Sequence, residues 1–293
     1  MGNRPSLGDV AQTTGKKARL RRILYQHGAR NGTALFLPYD HGLEHGPRDF
    51  FGNPAADPGY VVRLAVDGDF NGVVLHIGNA SKFYWDFAGE VPLILKLNGK
   101  TDVPTDDEPL SPLNATVADA VALGADAVGY TLYVGSPLQT QDFQQFQRIR
   151  ADADRLGMPV MVWAYPRGRA IDGKGGRNSF YAVDYAVRVA SELGADLVKI
   201  TWPEATASSR PEYDREFTAT EMLTAVVRSS NRSLVVLSGG ELTEERDMLG
   251  RASLAMDAGA TGLIFGRNIW GRERSEALRF VETLRELLAE YPS

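Results

Sequence analysis

A lysine stands where an apolar strand would bury it. Lys199 lies in the run LVKI at 197–200, and burying an ammonium there costs several kcal/mol unless the group is paired or neutralised. Desolvation, with a cation such as Lys96 of LILKLNG (93–99) reaching in, would depress its pKa and leave a nucleophilic amine. That amine is what Schiff-base formation with a carbonyl requires. The alternative is a structural lysine paired with an interior carboxylate such as Asp40, and Lys96 could serve substrate or simply snorkel. Trp163 and Tyr165 are two apart and share a strand face. If that face is inward, the phenol could move a proton near Lys199 while the indole supplies an apolar wall; as core aromatics they would need no function.

Two glycine-bearing runs form a second signal. Ser238, Gly239 and Gly240, with Gly266 and Arg267 of FGRNIW (265–270), offer backbone N–H groups and a forked guanidinium to an anion. Tight turns alone would also explain the glycines. A third cluster is YDHGLEHGP (39–47), where His41, His45, Glu44 and the more distant His76 offer metal ligands. An i, i+4 histidine pair needs a helix, and Gly42, Gly46 and Pro47 argue against one, so the expectation is no metal and no cofactor. Asp40 then reads as a hydrogen-bonding or proton-transfer carboxylate.

The elements that must position these residues recur with a period. Apolar runs at 34–38, 72–75, 93–97, 127–130, 159–163, 197–200, 234–237 and 262–265 are too short for core helices and rich in Val, Ile and Leu. Amphipathic stretches such as 114–123, 143–156, 181–193, 243–258 and 273–290 lie between them. Gly68, Gly124, Gly157, Gly194 and Gly259 sit where a helix stops, and LGADAV (123–128), LGADLV (193–198) and AGATGL (258–263) repeat that stop, turn and strand start. Eight such units predict an α/β fold, a (β/α)₈ TIM barrel, ahead of an open doubly wound sheet. Every residue singled out above then falls at or just beyond the C-terminal end of a strand, where barrels place their chemistry. Two loops there are long, 98–113 and 166–178; the second, PRGRAIDGKGGRN, is a candidate lid or a plain solvated loop.

Composition narrows the classes. The 293 residues divide into an N-terminal extension, 1–30, and a catalytic barrel, 31–293. The extension is Arg-rich and acid-poor, consistent with a basic helix closing the barrel floor or, alternatively, a transit peptide. A net charge of −5 without a large basic block argues against nucleic acid. No apolar run approaches the roughly 18 residues of a membrane helix, and the absence of cysteine excludes disulfides and thiolate chemistry while suiting the cytoplasm.

Taken in order, YDHGLEHGP (39–47), KLNGKT (96–101), LGADAVGYTLYVGS (123–136), VWAYPRG (162–168), GADLVKITWP (194–203), SGG (238–240) and GRNIWGR (266–272) resemble the archaeal-type class I fructose-1,6-bisphosphate aldolases, grouped with the DhnA-like and DeoC–FbaB aldolases. The resemblance implies that Lys199 is the Schiff-base lysine, Tyr165 the general acid/base, Asp40 a ligand of substrate hydroxyls that assists proton transfer, and Trp163 a substrate contact. It implies that Ser238, Gly239, Gly240, Gly266 and Arg267 hold the phosphate of the dihydroxyacetone phosphate half; by their place at the strand ends, His41 and Lys96 are further candidate substrate contacts. It implies a homo-oligomer, often a decamer, acting on a phosphorylated sugar. Related Schiff-base enzymes with other phosphorylated sugars, a transaldolase-like and a thiolase-like enzyme, are the alternatives, followed by a non-catalytic sugar-phosphate-binding barrel. For a second phosphate, His41, Arg48, Arg167 and Lys174 are unranked candidates.

Overall fold

Each of the eight apolar runs forms a parallel strand in the computed structural model, which describes residues 4–10 and 13–292. The strands are β1 (Ala34–Tyr39), β2 (Gly72–His76), β3 (Leu93–Lys96), β4 (Ala127–Val134), β5 (Val160–Pro166), β6 (Leu197–Ile200), β7 (Leu234–Ser238) and β8 (Gly262–Ile264). They pair in sequence order, and β1 pairs with β8, so the sheet closes. Closure decides against the open sheet and explains the unbroken Val/Ile/Leu runs, since a barrel strand is buried on both faces. One face of each strand packs against the surrounding helices. The other fills the interior: Phe36, Val74, Ile94, Met161, Trp163 and Val236 belong to one buried cluster.

The floor of that interior is plugged by the helix Thr14–Tyr25, whose Leu20, Ile23 and Leu24 join the interior cluster. Its cations reach Asp126 and Asp196, which the repeated LGAD junctions supply, and Asp154 of the helix Gln139–Arg155. Buried Lys16 lies 2.8 Å from Asp196 and 2.7 Å from Asp154, and Arg22 lies 2.6 Å from Asp126. The basic stretch is therefore a floor helix. Of the expected extension, residues 1–3, 11 and 12 lie outside the described residues.

The helix stops behave as expected at Gly124, Gly157, Gly194 and Gly259, with φ of 70°, 62°, 101° and 96°. Gly68 does not: its φ is −84°, and Asp69, at φ 47°, makes the left-handed turn instead. An Asp tolerates that conformation better than most residues, and its carboxylate accepts from Arg30 and Arg285 at 3.2 and 3.3 Å. Gly68 is required for a different reason, because a Cβ there would lie 2.7 Å from the Phe70 ring. The stretch expected as a helix from 114 starts only at Val117, because the Asn114 and Ala115 amides donate to the Leu97 carbonyl and Thr116 forms a capping box with Asp119. A third long connection, 201–218, follows β6 and was not anticipated; its Glu204 pairs with Ser179 and ties it to the β5 loop.

Candidate active site

The mouth of the barrel brings two lysines together under opposite electrostatic conditions. Register places Lys96 beside His76 on one side and Gly129 on the other, and sets Trp163 beside Lys199. Lys96 is fully buried and lies 3.1 Å from the Asp40 carboxylate and 2.8 Å from Glu44. Burial alone would lower its pKa, but Glu44 and Asp40 outweigh it and hold the ammonium charged. Lys199 is also buried, and among the described residues no carboxylate lies within ion-pairing distance of it. Burial depresses it from 10.5 to about 8, with Asp40 opposing and Lys96 reinforcing the shift. The pairing with Asp40 that would have made Lys199 structural is thus made by Lys96.

The aromatic pair of β5 does face inward. Trp163 is wedged between the lysines, its ring 4.4 Å from the Lys96 amine and 5.3 Å from that of Lys199, and the Tyr165 ring lies 5.4 Å from the latter. Burial, with Glu44 and Asp40 adding to it, pushes the Tyr165 phenol well above its ordinary value, so it carries its proton at neutral pH. Asp40 is the converse: burial would raise it, but Lys96, His41 and Lys199 hold it far below the usual carboxylate range. The Trp163 indole Nε1 and the Thr131 hydroxyl, neighbours across β4 and β5, are buried without a hydrogen-bond partner.

Against expectation, the β1 loop opens with a short helix, His41–His45, which Gly42 does not prevent. It turns Glu44 inward onto Lys96 and stacks His41 edge-on against His45 and Trp270, both at 5.3 Å between ring centres. Burial lowers His41 to about 3, leaving it neutral. Among the described residues no three His, Asp or Glu side chains converge as a metal site. Next to this loop around the mouth, β7 ends in half-buried Ser238, and the Arg267 guanidinium reaches the Gly240 carbonyl at 3.4 Å. Gly266 allows the β8 turn to approach, since a Cβ there would lie 2.7 Å from the His41 ring. The Gly239 amide donates to Ile264 of the barrel at 3.3 Å.

A depressed lysine, a protonated phenol beside it and an ionised carboxylate opposite are the groups that amine-catalysed carbonyl chemistry requires. The model of the DeoC/LacD family of aldolases matches residues 34–272, from the first strand to beyond the last. The chain belongs to the DeoC/LacD family. This aldolase-family chain is 42% identical to the class 1 fructose-bisphosphate aldolase of Thermoproteus tenax over 89% of its own length and 91% of the relative's. It is 37% identical to the class 1 fructose-bisphosphate aldolase of Halobacterium salinarum over 90% and 94%. It superposes, with a TM-score of 0.77 and 40% identity over 92% of this chain and 99% of the other, on an archaeal fructose-1,6-bisphosphate aldolase solved with its catalytic lysine covalently bound to the carbinolamine intermediate.

Two contributors to this DeoC/LacD site, Glu44 in its role and Gly129, escape a sequence reading, and a third, Asn268, is a candidate only by its place after β8. Glu44 read only as a metal ligand, because its approach to Lys96 depends on the unexpected helical turn. Gly129 gave no signal inside an apolar strand, yet a Cβ there would meet the Trp163 ring at 2.8 Å and Lys96 at 3.0 Å. Asn268, buried behind the β8 turn, donates to the Glu241 carbonyl at 2.9 Å and accepts from the Thr243 amide at 2.9 Å, fixing the loop that presents Gly239 and Gly240.

Proposed function

We propose that this chain is a class I aldolase that reversibly cleaves fructose 1,6-bisphosphate into dihydroxyacetone phosphate and glyceraldehyde 3-phosphate. The observation that carries the reading is the unpaired, buried Lys199, depressed to about 8 beside Tyr165. Its free amine adds to the C2 carbonyl, and loss of water leaves a protonated imine. When the C4 hydroxyl gives up its proton to the ionised Asp40 carboxylate, the C3–C4 electron pair passes into the imine and glyceraldehyde 3-phosphate departs. Tyr165, holding its proton, gives it to C3 of the enamine and regains one from Asp40, and hydrolysis frees Lys199 and dihydroxyacetone phosphate.

Asp40, kept ionised by Lys96, accepts hydrogen bonds from substrate hydroxyls, and Trp163 walls the cavity with His41 and Lys96 at its edge. Ser238, Gly239, Gly240, Gly266 and Arg267 hold the phosphate of the dihydroxyacetone phosphate half. By the same resemblance the barrel, residues 31–293, is the catalytic unit of a cytoplasmic homo-oligomer, decameric in form; light scattering of the purified protein that returned a monomer would remove that part. No helix among the described residues is long and apolar enough to cross a membrane.

The test is covalent. Dihydroxyacetone phosphate with borohydride should add its reduced mass to the peptide containing Lys199, and an unlabelled Lys199 overturns the reading.

A further inference from the structure

Two of the cations expected to meet a second phosphate, Arg48 and Arg167, already hold carboxylates, and both carboxylates come from one loop. In the connection after β3, Asp106 lies 2.8 Å from Lys100 of the same loop and 3.4 Å from Arg167 of the β5 loop. Asp102 lies 2.8 Å from Arg48 of the β1 loop, and Asp107 lies 2.9 Å from Arg169. The four contacts are unequal. Arg169 and Arg48 are mostly exposed, with side-chain exposures of 79% and 63%, whereas Lys100 and Arg167 are held in at 16% and 17%. Arg167 is also fixed from below, its guanidinium stacked over the Tyr165 ring at 5.0 Å and hydrogen-bonded to the Pro166 carbonyl at 2.8 Å. Lys100 and Arg167 thus form a preorganised pair of cations beside the phenol, with one carboxylate between them.

Position argues for what that pair would receive. The turns after β7 and β8 and the loops after β3 and β5 stand on opposite sides of the closed barrel, with Lys199 and Tyr165 between them. A ketose held at its C1 phosphate by the first pair of turns would extend its other end toward the second. We propose that Asp106 is a specificity-determining residue: its carboxylate occupies, from within the chain, the Lys100–Arg167 seat for the distal phosphate of a ketose bisphosphate, which must displace it. The proposal rests on the aldolase reading. A phosphate dianion suits two cations better than a carboxylate monoanion does, and a guanidinium accepts either in the same forked geometry. A sugar without the distal phosphate has nothing to gain from the exchange. Asp106 therefore lowers affinity for every substrate that carries that phosphate and is indifferent to those that lack it.

The experiment is the isosteric Asp106→Asn variant of the full chain, with Asp107→Asn as its neighbour on the exposed arginine. At low ionic strength, KM for fructose 1,6-bisphosphate should fall about two- to fivefold in Asp106→Asn, the range set by an ion pair near the surface, and the difference should shrink in high salt. KM for fructose 1-phosphate should not move. In the condensation direction KM for glyceraldehyde 3-phosphate should fall and that for dihydroxyacetone phosphate should not, and Asp107→Asn should match the unsubstituted chain throughout. An unchanged KM for the bisphosphate, an equal change for both sugars, or the same effect from Asp107→Asn overturns the proposal. Borohydride labelling of Lys199 by dihydroxyacetone phosphate does not involve Asp106, so its failure would strike the aldolase reading instead.

Discussion

At the scale of single residues, the proposed chemistry rests on an asymmetry between two buried lysines. Both sit in apolar strands, where Lys199 reads as nucleophile or structural ion and Lys96 as a substrate contact or a snorkelling side chain. Glu44 settles the matter by joining Asp40 on Lys96, which leaves Lys199 as a charge without a partner. Such a residue should cost stability. Its depression from 10.5 to about 8 means the folded state disfavours the ammonium, a penalty of roughly 3 kcal/mol felt fully below pH 8. The penalty fades as pH rises from about 8, where the folded form loses its proton, toward 10.5, where the unfolded form does. Lys199→Met should therefore be more stable than the unsubstituted chain at pH 7, by roughly 1–3 kcal/mol in urea denaturation, with the gain gone near pH 10.5. A variant that is destabilised at pH 7 would show that the amine is held by contacts better than those described. Activity should vanish in either case.

At the scale of elements, the site depends on how strands allocate their inward positions. β4 and β5 pair over seven residues, from Val128 with Val160 to Val134 with Pro166, and this extension past the apolar runs keeps Tyr165 in a strand. Gly129 on β4 leaves the volume that Trp163 and Lys96 fill. Gly129→Ala should thus overpack the interior, costing about 1–3 kcal/mol and lowering kcat by displacing Trp163 from Lys199; an alanine variant with unchanged denaturation midpoint and turnover would show that the indole can yield. The strands themselves were legible because a barrel strand is buried on both faces and reads as a plain apolar run. The helix His41–His45 was not, because its glycine-containing sequence prefers no conformation and the packing of His41 on Trp270 decides it. The same holds for the helix stop at Gly68, where a close approach to Phe70 was mistaken for a left-handed turn, and for the connection 201–218, whose order comes from its bridge to Ser179.

Across the whole molecule, the two ends of the barrel divide the work, and charge is buried at both for different reasons. At the mouth, buried Lys96, Asp40 and Lys199 are the groups to which the proposed chemistry falls. At the floor, Lys16 is buried between Asp196 and Asp154 and anchors the helix Thr14–Tyr25 across the bottom of the interior. Asp196 also accepts from the Val160 amide at 2.9 Å, so the same carboxylate joins the helix to the start of both β5 and β6. Breaking a buried pair by removing one partner strands the other charge and costs about 3–5 kcal/mol. Lys16→Ala should lose stability on that order in urea, yet kcat per active site, counted by borohydride trapping at Lys199, should stay unchanged, because the floor touches none of the groups at the mouth. A parallel loss of kcat per trapped site would mean that the floor helix sets the register of β5 and β6, and with it the distance from Trp163 and Tyr165 to Lys199.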